Sequence, residues 1–243
     1  MRSFGLIGKP LTHSFSKRYF AEKFERESIS DASYELFELA TIDRLPLLLR
    51  ERPDLRGLNV TIPYKEAVLP YLAESHIPKE LGACNCIRIE EGRCAGYNTD
   101  WVAFERSLRP LLEPRYRAAL VLGTGGASLA VTYVLRKLGI PFTQVGRALS
   151  AKATVTYAQL SAADMQAHQL IINTTPLGTY PDTESLPELP YQALGAGHLL
   201  YDLVYNPAVT SLLQQGIKAG ARIKNGEEML QLQAEESWKI WNA

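Results

Sequence analysis

Within nine residues, Gly57-Leu-Asn-Val-Thr-Ile-Pro-Tyr-Lys65, the chain carries an amide and a hydroxyl two residues apart and one ammonium beyond them. Side chains alternate across a strand, so Leu58, Val60 and Ile62 share one face and Asn59 and Thr61 the other. Pro63 cannot donate to a sheet ladder and is expected to close the strand, leaving Lys65 on the turn beyond it. A row of amide and hydroxyl groups ending in a cation at a strand exit is a common form of binding site. The same stretch also reads as a strand that ends in a solvated lysine.

A second group is Gly123-Thr124-Gly125-Gly126-Ala127-Ser128. It follows the apolar run 118–122 and precedes a helical pattern over 129–138, with another strand pattern over 141–145. That is a βαβ unit with a glycine-rich first turn, where the backbone can approach a pyrophosphate and a helix N-terminus favours the anion. The pattern departs from G-x-G-x-x-G at its last position, Ser128. The next strand ends in Gly146-Arg147, with no acid close by to bond the ribose 2′-OH of NAD. An arginine there suits the 2′-phosphate of NADP. The alternatives are a tight turn that binds nothing and an arginine that is merely solvated.

Other polar residues gather at element ends. Ser14 and Ser16 follow the first strand pattern and suit a carboxylate, although Ser16 also reads as the N-cap of a helix over 17–27. Asn85 and Asp100 stand at the ends of elements, and Asp100 also reads as an N-cap. Asn173, Thr174 and Thr175 follow a buried strand at the carboxyl edge of the sheet, where open α/β sheets bind ligands. His13, His76, His168 and His198 share no ligand spacing. Cys84-x-Cys86 lacks a fourth ligand nearby, and period two is what a strand gives two buried thiols, so no metal is expected.

Strand and helix patterns alternate along the 243 residues, predicting an α/β layer structure with a boundary near Pro110 to Pro114. A hairpin is expected around Glu91-Gly92, and a last helix over 227–241. Lys+Arg and Asp+Glu are both 26, so no charge excess argues for nucleic acid or an anionic membrane surface. No apolar run is long enough for a bilayer. The three cysteines fit a reducing compartment, so the expected location is cytoplasmic. A small molecule is the expected partner.

Taken in order, the motifs resemble the shikimate dehydrogenase family across essentially the whole chain: GKPLTHSFS at 8–16, GLNVTIPYK at 57–65, GACNCI at 82–87 and GYNTDWVAF at 96–104. They continue with GTGGAS at 123–128, INTTPLG at 172–178, YDLVYNP at 201–207 and NGEEMLQLQA at 225–234. The resemblance implies reversible reduction of 3-dehydroshikimate to shikimate with NADPH. It implies a two-domain α/β fold: a substrate domain over 1–100 and 226–243, and a Rossmann-like NADP-binding domain over 101–225, with the site in the cleft between them. The chain is expected to be a monomer or a homodimer.

By the same resemblance Ser14 and Ser16 hold the substrate carboxylate. Asn59, Thr61, Asn85, Asp100, Tyr205 and Gln233 contact the ring hydroxyls or line the pocket, and Lys65 and Asp100 are the catalytic pair. Residues Gly123 to Ala127 form the phosphate turn, Arg147 and Thr174 belong to the cofactor site, and Leu203, Gly226 and Met229 lie near the nicotinamide. Gly146-Arg147-Ala148 stands where the family usually has Asn-Arg-Thr. Two neutral donors are lost and the cation stays, so a preference for NADP with a smaller margin over NAD is expected. Two other readings remain open: a quinate/shikimate paralogue using NAD, and a non-catalytic protein that senses shikimate or a nucleotide.

Overall fold

The first strand, β1 (Arg2–Gly8), pairs in parallel with one neighbour on each side in the computed structural model, which describes residues 1–11 and 15–243. After it come α1 (Phe15–Arg26), β2 (Ala32–Glu38), α2 (Leu45–Glu51), β3 (Leu55–Val60) and the one-turn α3 (Tyr64–Ala67). The segment continues with β4 (Glu74–Ser75), β5 (Cys86–Glu90) and β6 (Arg93–Tyr97). Their sheet has the order β2-β1-β3-β5-β6-β4, with β5 antiparallel to both of its neighbours. Residues 1–102 and 233–243 form this first unit, and residues 103–232 form a second.

Alternation assigns the two faces of the first sheet. Ile7, Leu58, Val60, Ile87 and Ile89 pack with Leu45 of α2, while Phe4, Leu6 and Cys86 pack with Phe20 and Phe24 of α1 and with Trp241. Asn59 therefore faces the aromatic side, opposite Leu58 and Val60. The hairpin between β5 and β6 turns on Glu91 (φ 50°) and Gly92 (φ 75°), the left-handed pair that a two-residue type I′ turn requires. Two expectations fail locally. The strand stops at Val60, so Ile62 escapes the alternation and is 67% exposed. Ser16 is not an N-cap, because α1 already includes Phe15.

The chain enters the second unit within α4 (Asp100–Leu108). It then runs through β7 (Ala119–Leu122), α5 (Gly126–Lys137), β8 (Phe142–Gly146), β9 (Val155–Thr156), α6 (Ala162–Ala167) and β10 (Leu170–Asn173). Then follow β11 (Leu199–Asp202), α7 (Ser211–Lys218), β12 (Arg222–Lys224) and α8 (Glu227–Trp241), within which it returns to the first unit. All six strands are parallel, in the order β12-β11-β10-β7-β8-β9. Every residue of β7, β10 and β11 is buried, so these strands read as unbroken apolar runs.

Counted within this unit the order is 6-5-4-1-2-3, the doubly wound nucleotide-binding arrangement, whose direction reverses between β7 and β10. The glycine turn leaves the end of β7, and Asn173-Thr174 leaves the end of β10. Both therefore border the crevice that this reversal opens. Helix α5 begins at Gly126, three residues earlier than the apolar pattern indicates, because the turn's last glycine is already helical. Among the described residues no helix is long and apolar enough to cross a membrane.

Candidate active site

In the first unit, Lys65 sits on α3 just past the strand exit, and its ammonium donates to Asp100 Oδ2 at 2.6 Å. Both side chains are largely shielded, at 17% and 13% exposure, which strengthens a charge-assisted bond relative to one in water. Asp100 is fixed from its other oxygen as well, since Asn85 Nδ2 donates to Oδ1 at 2.8 Å. The same amide donates to Thr99 Oγ1 at 2.9 Å, and Asn85 Oδ1 accepts from the Thr99 backbone N–H at 2.6 Å. Asn98 accepts from the Trp101 N–H at 3.2 Å, supporting the start of α4 and so the placement of Asp100.

The cluster continues behind the pair. Asn59, 5% exposed, donates to Ser237 Oγ at 2.9 Å and to the Asn85 carbonyl at 3.3 Å. Its Oδ1 accepts from the Tyr34 hydroxyl at 2.9 Å. Burial pushes the Tyr34 phenol well above its ordinary value, so it stays a neutral donor, while a hydrogen bond with Ser16 acts in the opposite direction. Ser237 donates to the Gln233 carbonyl at 2.9 Å, which leaves the Thr99 hydroxyl as donor in the 3.3 Å contact between the two. Every polar atom of the Asn59 and Asn85 side chains thus has a partner inside the unit. Thr61 is half-buried, and its backbone N–H bonds the Ile7 carbonyl at 2.9 Å.

In the second unit the glycine turn is built by backbone. Gly123 has φ 103°, and a Cβ there would lie 2.8 Å from the Thr175 methyl and 2.9 Å from the Thr174 hydroxyl. Gly125 precedes the first helical residue of α5, with open space where its Cβ would be. A free helix N-terminus with room above it fits a pyrophosphate. Ser128, at the position of the third glycine, is fully buried; its hydroxyl donates to the Gly125 carbonyl at 2.7 Å. Gln144 of β8 donates to that hydroxyl at 3.0 Å and to the Gly123 carbonyl at 2.9 Å. A serine therefore serves the helix-to-strand packing that the motif usually gives to glycine.

Arg147 is exposed just beyond β8. Gly146 before it cannot take a larger side chain as placed, because a Cβ would approach that of Ala153 to 2.7 Å. The Thr174 hydroxyl donates to the Leu122 carbonyl at 2.6 Å. Leu203 and Gly226 are in backbone contact, since a Cβ on Gly226 would lie 2.0 Å from the Leu203 carbonyl oxygen. Met229 is buried on the part of α8 within this unit.

The structure thus joins Lys65, Asp100, Asn85 and Asn59 in one bonded cluster, with Gln233 contributing a carbonyl. It gathers Gly123 and Thr174 at the switch point of the parallel sheet. Ser14 lies outside the described residues. Tyr205 belongs to the second unit, whereas the other described substrate candidates belong to the first. Tyr34, Thr99, Ser237 and Gln144 escaped the sequence reading. Thr99 was visible as the neighbour of Asp100, and Ser237 as the residue one helical turn beyond Gln233. Tyr34 and Gln144 carried no local signal.

These features define a class: a two-unit α/β protein with a dinucleotide-type parallel sheet in one unit and a half-buried Lys–Asp pair in the other. Residues 6–87 match the model of the shikimate dehydrogenase substrate binding domain. The chain belongs to the shikimate dehydrogenase family. It is 34% identical to the NADP(+) shikimate dehydrogenase of Caldicellulosiruptor bescii, over 99% of this chain and 89% of that one. Among solved structures, shikimate dehydrogenase 1 of Peptoclostridium difficile superposes with a TM-score of 0.85 at 32% identity, covering 100% of this chain and 92% of that one. The Thermus thermophilus enzyme, solved in complex with NADP(H) and shikimate, gives 0.85 at 30% identity, covering 99% and 93%.

Proposed function

We propose that the chain catalyses the reversible reduction of 3-dehydroshikimate to shikimate with NADPH, within the aromatic amino-acid (chorismate) pathway of the cytoplasm. The observation that carries this reading is the Lys65–Asp100 pair, 2.6 Å apart and held by Asn85. Membership of the family and its NADP(+) relatives support the cofactor. The unit of residues 1–102 and 233–243 takes the substrate, and the unit of residues 103–232 takes the nucleotide. The active form is a monomer or a homodimer, with no nucleic-acid partner.

When bound, NADPH supplies the hydride. The Gly123 to Ala127 turn holds its pyrophosphate on the N-terminus of α5, and Arg147 pairs with the 2′-phosphate. Ser14 and Ser16 take the substrate carboxylate; Thr61 and Gln233 are further substrate contacts from the first unit, and Tyr205 is a substrate contact supplied by the second. Asn59 and Asn85 hold the cluster from behind, and Asp100 orients a ring hydroxyl. Reduction of a ketone builds negative charge on its oxygen, and Lys65 supplies the cation and the proton there. In the reverse direction Lys65 Nζ takes the hydroxyl proton. Buried amide and hydroxyl partners left unpaired cost about 1–3 kcal/mol each, so analogues lacking a ring hydroxyl are rejected.

The test is the reduction of NADP and NAD by the purified protein with shikimate or quinate. NADP reduction with shikimate is the expected outcome. Turnover only with quinate and NAD would assign the chain to the paralogous activity, and tight shikimate binding without turnover would make it a sensor.

A further inference from the structure

Three segments of the second unit converge on one carboxylate at the ends of β10 and β11. Asp202 is fully buried, and its Oδ1 accepts from Asn173 Nδ2 at 2.9 Å and from the Val204 N–H at 3.0 Å. Its Oδ2 accepts from the Thr210 hydroxyl at 2.6 Å. Thr210 is the N-cap of α7, so the bonds tie together the end of β10, the loop after β11 and the start of a helix. Asn173, equally buried, passes the constraint on: its Oδ1 accepts from the Thr175 N–H at 3.0 Å and from the Thr175 hydroxyl at 2.6 Å. Thr175 in turn abuts Gly123. Leu203 N–H donates to the Asn173 carbonyl at 3.0 Å, and Gly226 N–H to the Val204 carbonyl at 3.0 Å.

All of Asp202's partners are donors, and among the described residues no cation pairs with it. An unpaired buried carboxylate is costly, and a neutral amide of the same shape avoids that cost. The charge therefore needs a reason, and its partners supply one: they are the loops that carry Thr174, Leu203 and Gly226. We propose that Asp202 is a positioning residue for the reaction. Its ionised carboxylate sets the 173–175 and 203–205 loops against the nucleotide turn, so that the cofactor is held in its reactive placement. This rests on the NADP-dependent dehydrogenase reading above.

Burial pushes the Asp202 carboxyl up to about 6, with the bonds from Thr210, Val204 and Asn173 pulling the other way. Among the described residues the Tyr191 phenol feels the charge of Asp202, and burial keeps that phenol neutral. Protonation would stop one of the two oxygens from accepting: a proton on Oδ2 faces the Thr210 hydroxyl that now donates there, so the link to the start of α7 must break or reverse.

The experiment compares the full-length wild type with D202N, T210V and T210S by steady-state kinetics with shikimate and NADP across pH 5.5 to 9. At pH 8, D202N should lose roughly 10- to 100-fold in kcat/KM for NADP while still unfolding cooperatively. The ratio of wild type to D202N should shrink toward one as pH falls through about 6. T210V removes a donor that favours the charged form, so its acid limb should move to higher pH; T210S should restore the wild-type limb. A ratio that stays constant with pH, or D202N within about twofold of wild type at pH 8, overturns the inference. Should D202N fail to fold, a T210V limb at the wild-type position overturns it equally. A wild type without turnover would refute the dehydrogenase reading instead, and NADP affinities measured by calorimetry on the same variants would then decide the role of Asp202.

Discussion

In the proposed substrate site around Lys65 the recognising groups are side chains, whereas in the proposed nucleotide site around Gly123 they are backbone N–H groups made reachable by missing side chains. The first arrangement needs a scaffold of other side chains: Asn85, Asn59, Thr99, Ser237 and Tyr34 fill one another's hydrogen-bonding capacity and leave Lys65 and Asp100 with fixed orientations. The second needs close packing from below, which Ser128, Gln144 and Thr174 provide through bonds to backbone carbonyls. A hydroxyl-rich ring is recognised by direction, so it calls for rigid donors and acceptors. A pyrophosphate is recognised by charge and close approach, so it calls for a helix terminus and room. Substitutions should therefore fail differently in the two units: by lost groups in the first, and by added bulk or strain in the second.

The sharpest test of that contrast is Lys65→Ala. We expect kcat to fall by roughly 10²- to 10⁴-fold with a smaller change in KM. Near wild-type kcat would remove Lys65 from the chemistry. In the other unit Gly123→Ala forces an L side chain to φ 103° against Thr175. Strain of about 1–3 kcal/mol should appear as a raised KM for NADP and a lower melting temperature. An unchanged KM would mean that the turn is not the phosphate site.

Arg147→Ala should lower the NADP-to-NAD preference by roughly 10- to 100-fold, the worth of a charged hydrogen-bond partner. An unchanged ratio would leave the arginine as a surface residue. Ser237→Ala deprives Asn59 of the nearer of its two acceptors, and we expect a stability loss of about 1–3 kcal/mol in urea unfolding, with only a few-fold rise in KM for shikimate. A large fall in kcat instead would place Ser237 in the chemistry.

The smallest expected effect is a linkage at Asp202. Its folded value lies above the ordinary carboxylate value, so between the two the folded chain binds more protons than the unfolded chain. Stability from this group therefore rises as pH falls through about 6, the opposite direction to its effect on activity. Urea titrations of wild type and D202N at pH 5 and 8 should show a difference that shifts in favour of the wild type at pH 5. A pH-independent difference would contradict it.

Much of this was legible locally. Glu91-Gly92 between two alternating runs announced a type I′ hairpin, and a glycine turn after Ala118 to Leu122 announced a nucleotide-type βαβ unit. In both cases the signal is short-range, because backbone conformation follows from residue type. The misses have an equally physical cause. Ile62 looked like a continuation of the strand face, but pairing ends at Val60 and alternation has no meaning beyond it. The three-residue β12 is half-polar and short, and only its pairing with β11 makes it a strand. The buried role of Gln144 rests on the carbonyl of Gly123, twenty-one residues away.

By itself the sequence determined most of the elements, the glycine turn, the cation after β8 and, through eight ordered motifs, the family. Those properties depend on residue type and spacing along the chain. Only the tertiary structure decided which polar groups meet. Ser237 reaches Asn59 across 178 residues and Lys65 reaches Asp100 across 35, contacts that packing creates and no local pattern encodes. It also decided the state of Asp202, which the sequence shows only as an acid in YDLVYNP and burial turns into the common acceptor of three loops.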